Sequence, residues 1–105
     1  MDINNLMGQA RQMQEKMATI QEELAKKTVT GSAGGGMITT TVNGRGDLLS
    51  ITIEKEVIST DDMEMLQDLI VAATNDGLRK AKELGKNEMG QLAGGLNIPG
   101  LSNIF

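Results

Sequence analysis

The side chains best placed for chemistry in this 105-residue chain are basic ones near its C-terminus. From Gly77 onward Arg79, Lys80, Lys82 and Lys86 outnumber Glu83 and Glu88, whereas Ser59 to Asp76 carries Asp61, Asp62, Glu64, Asp68 and Asp76 with no base. Turning a helix by about 100° per residue puts Arg79, Lys82 and Lys86 on one face, with Lys80 flanking it. Cations gathered this way suit phosphate oxygens, so one reading is a phosphate-contacting patch. The competing structural reading is macrodipole matching, with acids in the first half of a helix and bases in the second. Towards the N-terminus Arg11 and Lys16 add less, since Arg11 has Glu15 one turn away and Lys16 sits beside an apolar seam. Phe105 is the only aromatic residue. Single-strand binders stack bases on exposed rings, so any nucleic acid bound here is expected to be duplex, held by its backbone with weak or indirect sequence readout.

Other chemistries find less support. The chain has no Cys, His, Trp or Tyr, which removes thiol nucleophiles, disulfides, imidazole bases and Cys/His metal cages. Pairs such as Asp61/Asp62 or Asp68/Asp76 could hold Mg²⁺ or exchange protons, yet their spacing shows no convergent set of oxygens. They read as helix caps and solvated surface. Gly34-Gly35-Gly36 lacks the Gly-Lys-Ser/Thr ending of a P-loop, and Gly31-Ser32-Ala33-Gly34 carries no base within it as a nucleic-acid clamp would. A flexible inter-strand loop is the reading for both. No enzyme activity, cofactor, metal or small-molecule substrate is expected.

The elements that would position the bases can be read from periodicity. From Asp2 to Lys27, Ile3, Leu6, Ala10, Met13, Met17, Ile20 and Leu24 recur at alternating three- and four-residue steps, the seam of a coiled coil. A helix of that length runs about 37 Å, well beyond a small domain with a radius of gyration near ~13 Å. Part of it is therefore expected to project, or to lie along another chain, rather than pack wholly on its own domain. From Thr28 to Ser59 the period becomes two. Ile38, Thr40 and Val42 form one strand and Leu49, Ile51 and Ile53 another, joined by a hairpin at Asn43-Gly44-Arg45-Gly46-Asp47. A shorter strand around Lys27 to Gly31 completes a three-stranded antiparallel meander. Ser59-Thr60-Asp61-Asp62 then signals a helix start. Leu66, Ile70, Ala73, Gly77, Ala81 and Leu84 make one stripe, and Gly77 within it points to a close helix contact.

The expected architecture is α+β: a single α-β-β-β-α domain over residues 1–93, followed by a flexible tail over 94–105 that contains Gly94, Gly95, Pro99 and Gly100. A core of Met, Ile, Leu, Val and Ala without rings is thin for this size, so oligomerisation is expected to supply further burial. The formal net charge of -4 argues against a uniformly basic coat but leaves room for a local patch. The start Met1-Asp2-Ile3-Asn4-Asn5 has no cationic or apolar leader and no apolar run spans a bilayer, so a cytoplasmic protein is the default expectation.

Several segments taken together resemble the YbaB/EbfC family of bacterial nucleoid-associated proteins. They are Gln9 to Met17 (QARQMQEKM), Val29 to Gly36 (VTGSAGGG), Asn43-Gly44, and Leu66 to Asp76 (LQDLIVAATND) followed by Arg79-Lys80-Ala81. The resemblance covers about Met1 to Lys86 and a Gly/Pro-containing tail ending in Phe. It implies a homodimer in which the sheets join and long helices project like tweezers, binding double-stranded DNA in the nucleoid. Arg79 and Lys80 match the family best, Arg11 and Lys16 also match, and Lys82 and Lys86 rest on the charge argument. The alternative is a protein-interaction module that docks partner helices through its coiled-coil-like seams.

Overall fold

The structure, a computed structural model, describes residues 2–59 and 61–96, with side chains to 91. Helix α1 spans Ile3–Lys26, and the Asp2 carboxylate accepts a bond from the Asn4 N–H at 3.1 Å to cap its start. Three strands follow, β1 Thr28–Ala33, β2 Ile38–Asn43 and β3 Leu48–Ile53, in the antiparallel order β1-β2-β3. A short helix α2, Lys55–Ile58, leads into the long α3, Met63–Leu96. The Asp62 carboxylate accepts the Met65 N–H at 2.9 Å, so one of the anticipated caps of this helix is in place. Ser59 instead donates its hydroxyl to the Glu56 carbonyl at the end of α2. Sequence periodicity ran the strand region straight to Ser59 and missed α2, whose anchor is the buried Val57.

Helix α3 lies on β1 and β2, and two glycines set how close it comes. A Cβ on Gly31 would sit 2.3 Å from the Ala73 carbonyl oxygen and 2.4 Å from the Gly77 nitrogen. One on Gly77 would meet Val42 Cγ2 at 2.7 Å and Thr40 Oγ1 at 2.9 Å. The stripe glycine therefore marks a close helix contact, as its position implied. Into the same seam the buried Thr40 hydroxyl donates to the Ala73 carbonyl at 2.9 Å, which satisfies the one polar side chain there. Ile38, Val57 and Ala73 form the centre of the core, with Leu66, Leu69, Ile70 and Ile53 packed around them.

The hairpin between β2 and β3 forms at the anticipated segment, Asn43 to Asp47. The left-handed residue is Gly46, at φ 91°. The buried Asn43 organises the turn with its side chain: Oδ1 accepts the N–H groups of Arg45 and Asp47 at 3.0 and 2.9 Å, and Nδ2 donates to Asp47 at 3.1 Å. Gly44 is small because Leu24 of α1 presses on it, with Leu24 Cδ2 2.7 Å from where a Cβ would stand. Gly34, Gly35 and Gly36, all at positive φ, make the β1–β2 turn.

Two further differences bear on the site. Leu49 and Ile51 were expected to face a covered side of the sheet, yet Leu49 is 54% and Ile51 40% exposed, because α3 does not extend over β3. Helix α3 also continues to Leu96, so three residues of the anticipated tail, 94–96, are helical, while 97–105 lie outside the described residues. The molecule measures 69 × 23 × 17 Å, with a radius of gyration of 19.3 Å. That is well above the ~13 Å of a compact chain this long.

Candidate nucleic-acid interface

The anticipated bases fall into three groups by their surroundings. Arg79, Lys82 and Lys86 line one shallow depression on the outer face of α3, together with Glu83. Lys82 and Lys86 form no salt bridge among the described residues. Their electrostatic setting follows from where the helix ends. Macrodipole matching acts within the last turn, and the last turn of α3 holds no base; Lys86 lies ten residues, about 15 Å, before Leu96. The helix is thus too long for its own dipole to explain the position of these cations.

Lys80 and the guanidinium of Arg79 are held by Asp76. The Asp76 carboxylate accepts from Arg79 Nη2 at 3.0 Å and pairs with Lys80 Nζ at 3.1 Å. It also accepts the backbone N–H of Ser32 in β1 at 3.0 Å. That N–H bond, with Lys80 next in weight, holds the Asp76 carboxyl below its usual value. Lys80 in turn donates to the Thr30 carbonyl at 3.1 Å. Sequence reasoning treated Asp76 as part of an acidic half-helix. Its spacing to Lys80 at i,i+4 was a visible signal, whereas its bond to a strand 44 residues away was not.

Arg11 and Lys16 stand apart from these, exposed on α1. Lys16 lines a groove of about 770 Å³ between α1 and the distal part of α3, with Gln12, Ile20, Glu88 and Gln91 among its walls. An ion pair from Lys27 to Glu88 ties the base of α1 to α3 and, through that hydrogen bond, raises the Lys27 ammonium above its usual value. Beyond the pair the seam of α1 opens to solvent: Leu24 is buried, Met13 and Ile20 are half-buried, and Ile3 is 71% exposed. On the other side of α1, Lys26 and Arg45 share a second depression with Glu22, Gln21 and Ala18. These two bases were not singled out in the sequence, since only the β2–β3 turn brings Arg45 back to α1.

Among the described residues no group of three His, Cys, Asp or Glu side chains is placed to hold a metal ion, and no helix is long and apolar enough to cross a membrane. Among the described residues the surface offers cations on two long helices, and none of those residues is aromatic.

Comparison with known proteins agrees with the resemblance seen in the segments above. The model of the YbaB/EbfC DNA-binding family matches residues 1–96. A nucleoid-associated protein of Desulfotalea psychrophila is 65% identical over 105 residues, covering 100% of this chain and 99% of that protein. Another, from Syntrophobacter fumaroxidans, is 60% identical over 97 residues, covering 92% and 88%. A crystal structure of an uncharacterized protein from Helicobacter pylori superposes with a TM-score of 0.79 at 28% identity, covering 88% of this chain and 97% of that one.

Proposed function

Because the chain belongs to the YbaB/EbfC DNA-binding family, we propose that it binds duplex DNA as a homodimer, mainly through backbone phosphates, and acts in the cytoplasmic nucleoid on its organisation and on gene expression. The role is non-enzymatic. The observation that carries the binding mode is the group Arg79, Lys82 and Lys86, gathered on one exposed face in the middle of α3 where helix electrostatics give no reason for them. Lys82 and Lys86 are the principal phosphate contacts, since among the described residues neither is neutralised by a bonded carboxylate. Arg79 and Lys80 contribute against the pull of Asp76, and Arg11 and Lys16 contribute from α1.

An exposed apolar surface supports the homodimer. Leu48, Leu49 and Ile51 are exposed on β3, which α3 does not reach, Ile58 and Met63 are exposed on α2 and at the start of α3, and covering them removes apolar surface from water. Two-fold symmetry then doubles the basic face, and the projecting α1 and distal α3 become the arms of a tweezer. With roughly 4 to 8 phosphates engaged per dimer, log affinity falls against log salt with a slope of about −4 to −7. Gel shifts across a salt series test this on wild type and on the double variant Lys82→Glu/Lys86→Glu. Affinity indifferent to both salt and charge reversal would falsify the proposal.

The exposed Ile3, Leu6, Met7 and Met17 on α1 favour a second reading, a module that docks a partner helix on this seam. A stoichiometric protein partner recovered at moderate salt after nuclease treatment would support it.

A further inference from the structure

A three-stranded sheet has two edges, and each presents unpaired N–H and C=O groups that can take a further strand. In this molecule the two edges differ. Along β1 the pairing of Gly31 with Thr40, between Thr30↔Thr41 and Ser32↔Thr39, leaves Thr30 and Ser32 with backbone groups pointing away from β2. At each of these two positions one backbone group is already in use. The Ser32 N–H donates to Asp76 at 3.0 Å, and the Thr30 carbonyl accepts from Lys80 Nζ at 3.1 Å. Asp76 and Lys80 also pair with each other at 3.1 Å, so one turn of α3 reaches over the strand edge with a linked acceptor and donor. An incoming strand would have to lie about 4.8 Å from β1, in the space these two side chains fill.

Edge β3 has no such closure. Among the described residues no side chain hydrogen-bonds to its backbone, and Leu48, Leu49 and Ile51 stand exposed along it. Ile58 of α2 and Met63 at the start of α3 are exposed as well.

We infer that Asp76 and Lys80 close the β1 edge of the sheet, so that strand-to-strand association is confined to β3 and stops at two copies of this chain. The inference deepens the homodimer reading and rests on it only for the number of copies. A protein with both edges open adds copies head to tail without closing, whereas one open edge used by two identical chains closes after a single step. Asp76 therefore has a task separate from its effect on the charge of Arg79 and Lys80. It supplies the acceptor that a neighbouring strand would otherwise provide.

The test is the mass of the full chain in solution by sedimentation, over a concentration series, for wild type, Asp76→Asn and the double variant Asp76→Ala/Lys80→Ala. Asp76→Asn keeps a carbonyl oxygen for the Ser32 N–H and keeps Lys80 on Thr30, so its mass follows wild type. The double variant frees both backbone groups, and its mass rises beyond that of wild type and climbs with concentration. Equal masses for the double variant and wild type overturn the inference, as does a wild type that itself grows beyond two copies. A wild type at the mass of one chain, 11.2 kDa, would sink the homodimer reading alone, because the comparison between variant and wild type still decides this one. Amide exchange on the wild type gives a readout that needs no variant to fold. The Ser32 N–H exchanges at least tenfold more slowly than in the unfolded chain, and free exchange at Ser32 overturns the closure.

Discussion

At the scale of single residues, Asp76 joins three separate effects. It holds two of the anticipated DNA-contacting bases, ties α3 to β1, and titrates below the ordinary carboxylate range. Replacing it by Asn removes one negative charge beside the basic face while keeping the acceptor for Ser32. DNA affinity at low salt should become roughly threefold to tenfold tighter, as gel shifts would read, and unchanged or weaker binding contradicts the electrostatic role. The same substitution changes acid stability. A carboxyl whose folded value lies below its usual 3.8 stabilises the fold above that value and loses this contribution as pH falls through the folded value. Urea melts of Asp76→Asn should therefore show a shallower loss of stability than wild type below about pH 4. Gly31 is a purely steric case. A Cβ there meets backbone atoms at 2.3 and 2.4 Å, and backbone cannot rotate away, so α3 must lift from β1. Gly31→Ala should lose about 3 kcal/mol or more in denaturant melts, despite the usual benefit of replacing Gly in a strand.

At the scale of elements, α1 and α3 show how length changes the meaning of a charge pattern. Acids followed by bases look like dipole matching only while the helix is taken to end soon after Lys86. Once it runs to Leu96, the same bases sit on a side face and need another reason to be there. Helix α1 is held at its C-terminal end by Leu24 against Gly44 and by the pair of Lys27 with Glu88. Its other end makes little contact with the rest of the chain, so local helix stability matters most there. Gly8 lies in that part with nothing near its Cβ position. Gly8→Ala should raise stability by about 0.5–1 kcal/mol and increase helical circular dichroism, and a loss of stability would show that the Gly8 face is packed against something in solution.

At the scale of the whole molecule, the chain is elongated and leaves β3 uncovered. A charged residue placed there tests whether a second copy covers it. Leu49→Lys should leave the isolated protomer folded, because the site is exposed, yet shift sedimentation from two copies to one. It should also roughly halve the slope of log affinity against log salt, since each particle then carries one basic face. If it stays dimeric with an unchanged slope, the copies meet elsewhere. How much of this was legible beforehand differs from element to element. The seam from Ile3 to Leu24, the meander and the stripe from Leu66 to Leu84 follow from period alone, because burying one face of a helix or strand requires that spacing. The face shared by Arg79, Lys82 and Lys86 follows in the same way, from about 100° per residue. Helix α2 did not, since four residues are too few to show a period. Nor did the exposure of Leu49 and Ile51, the closure of β1 by Asp76 and Lys80, or the meeting of Arg45 with Lys26. Which residues share a face is a matter of local geometry and can be read from their spacing along the chain. Which faces are covered, and which charges are already paired, cannot, because both depend on where α3 crosses the sheet and which strands it fails to reach.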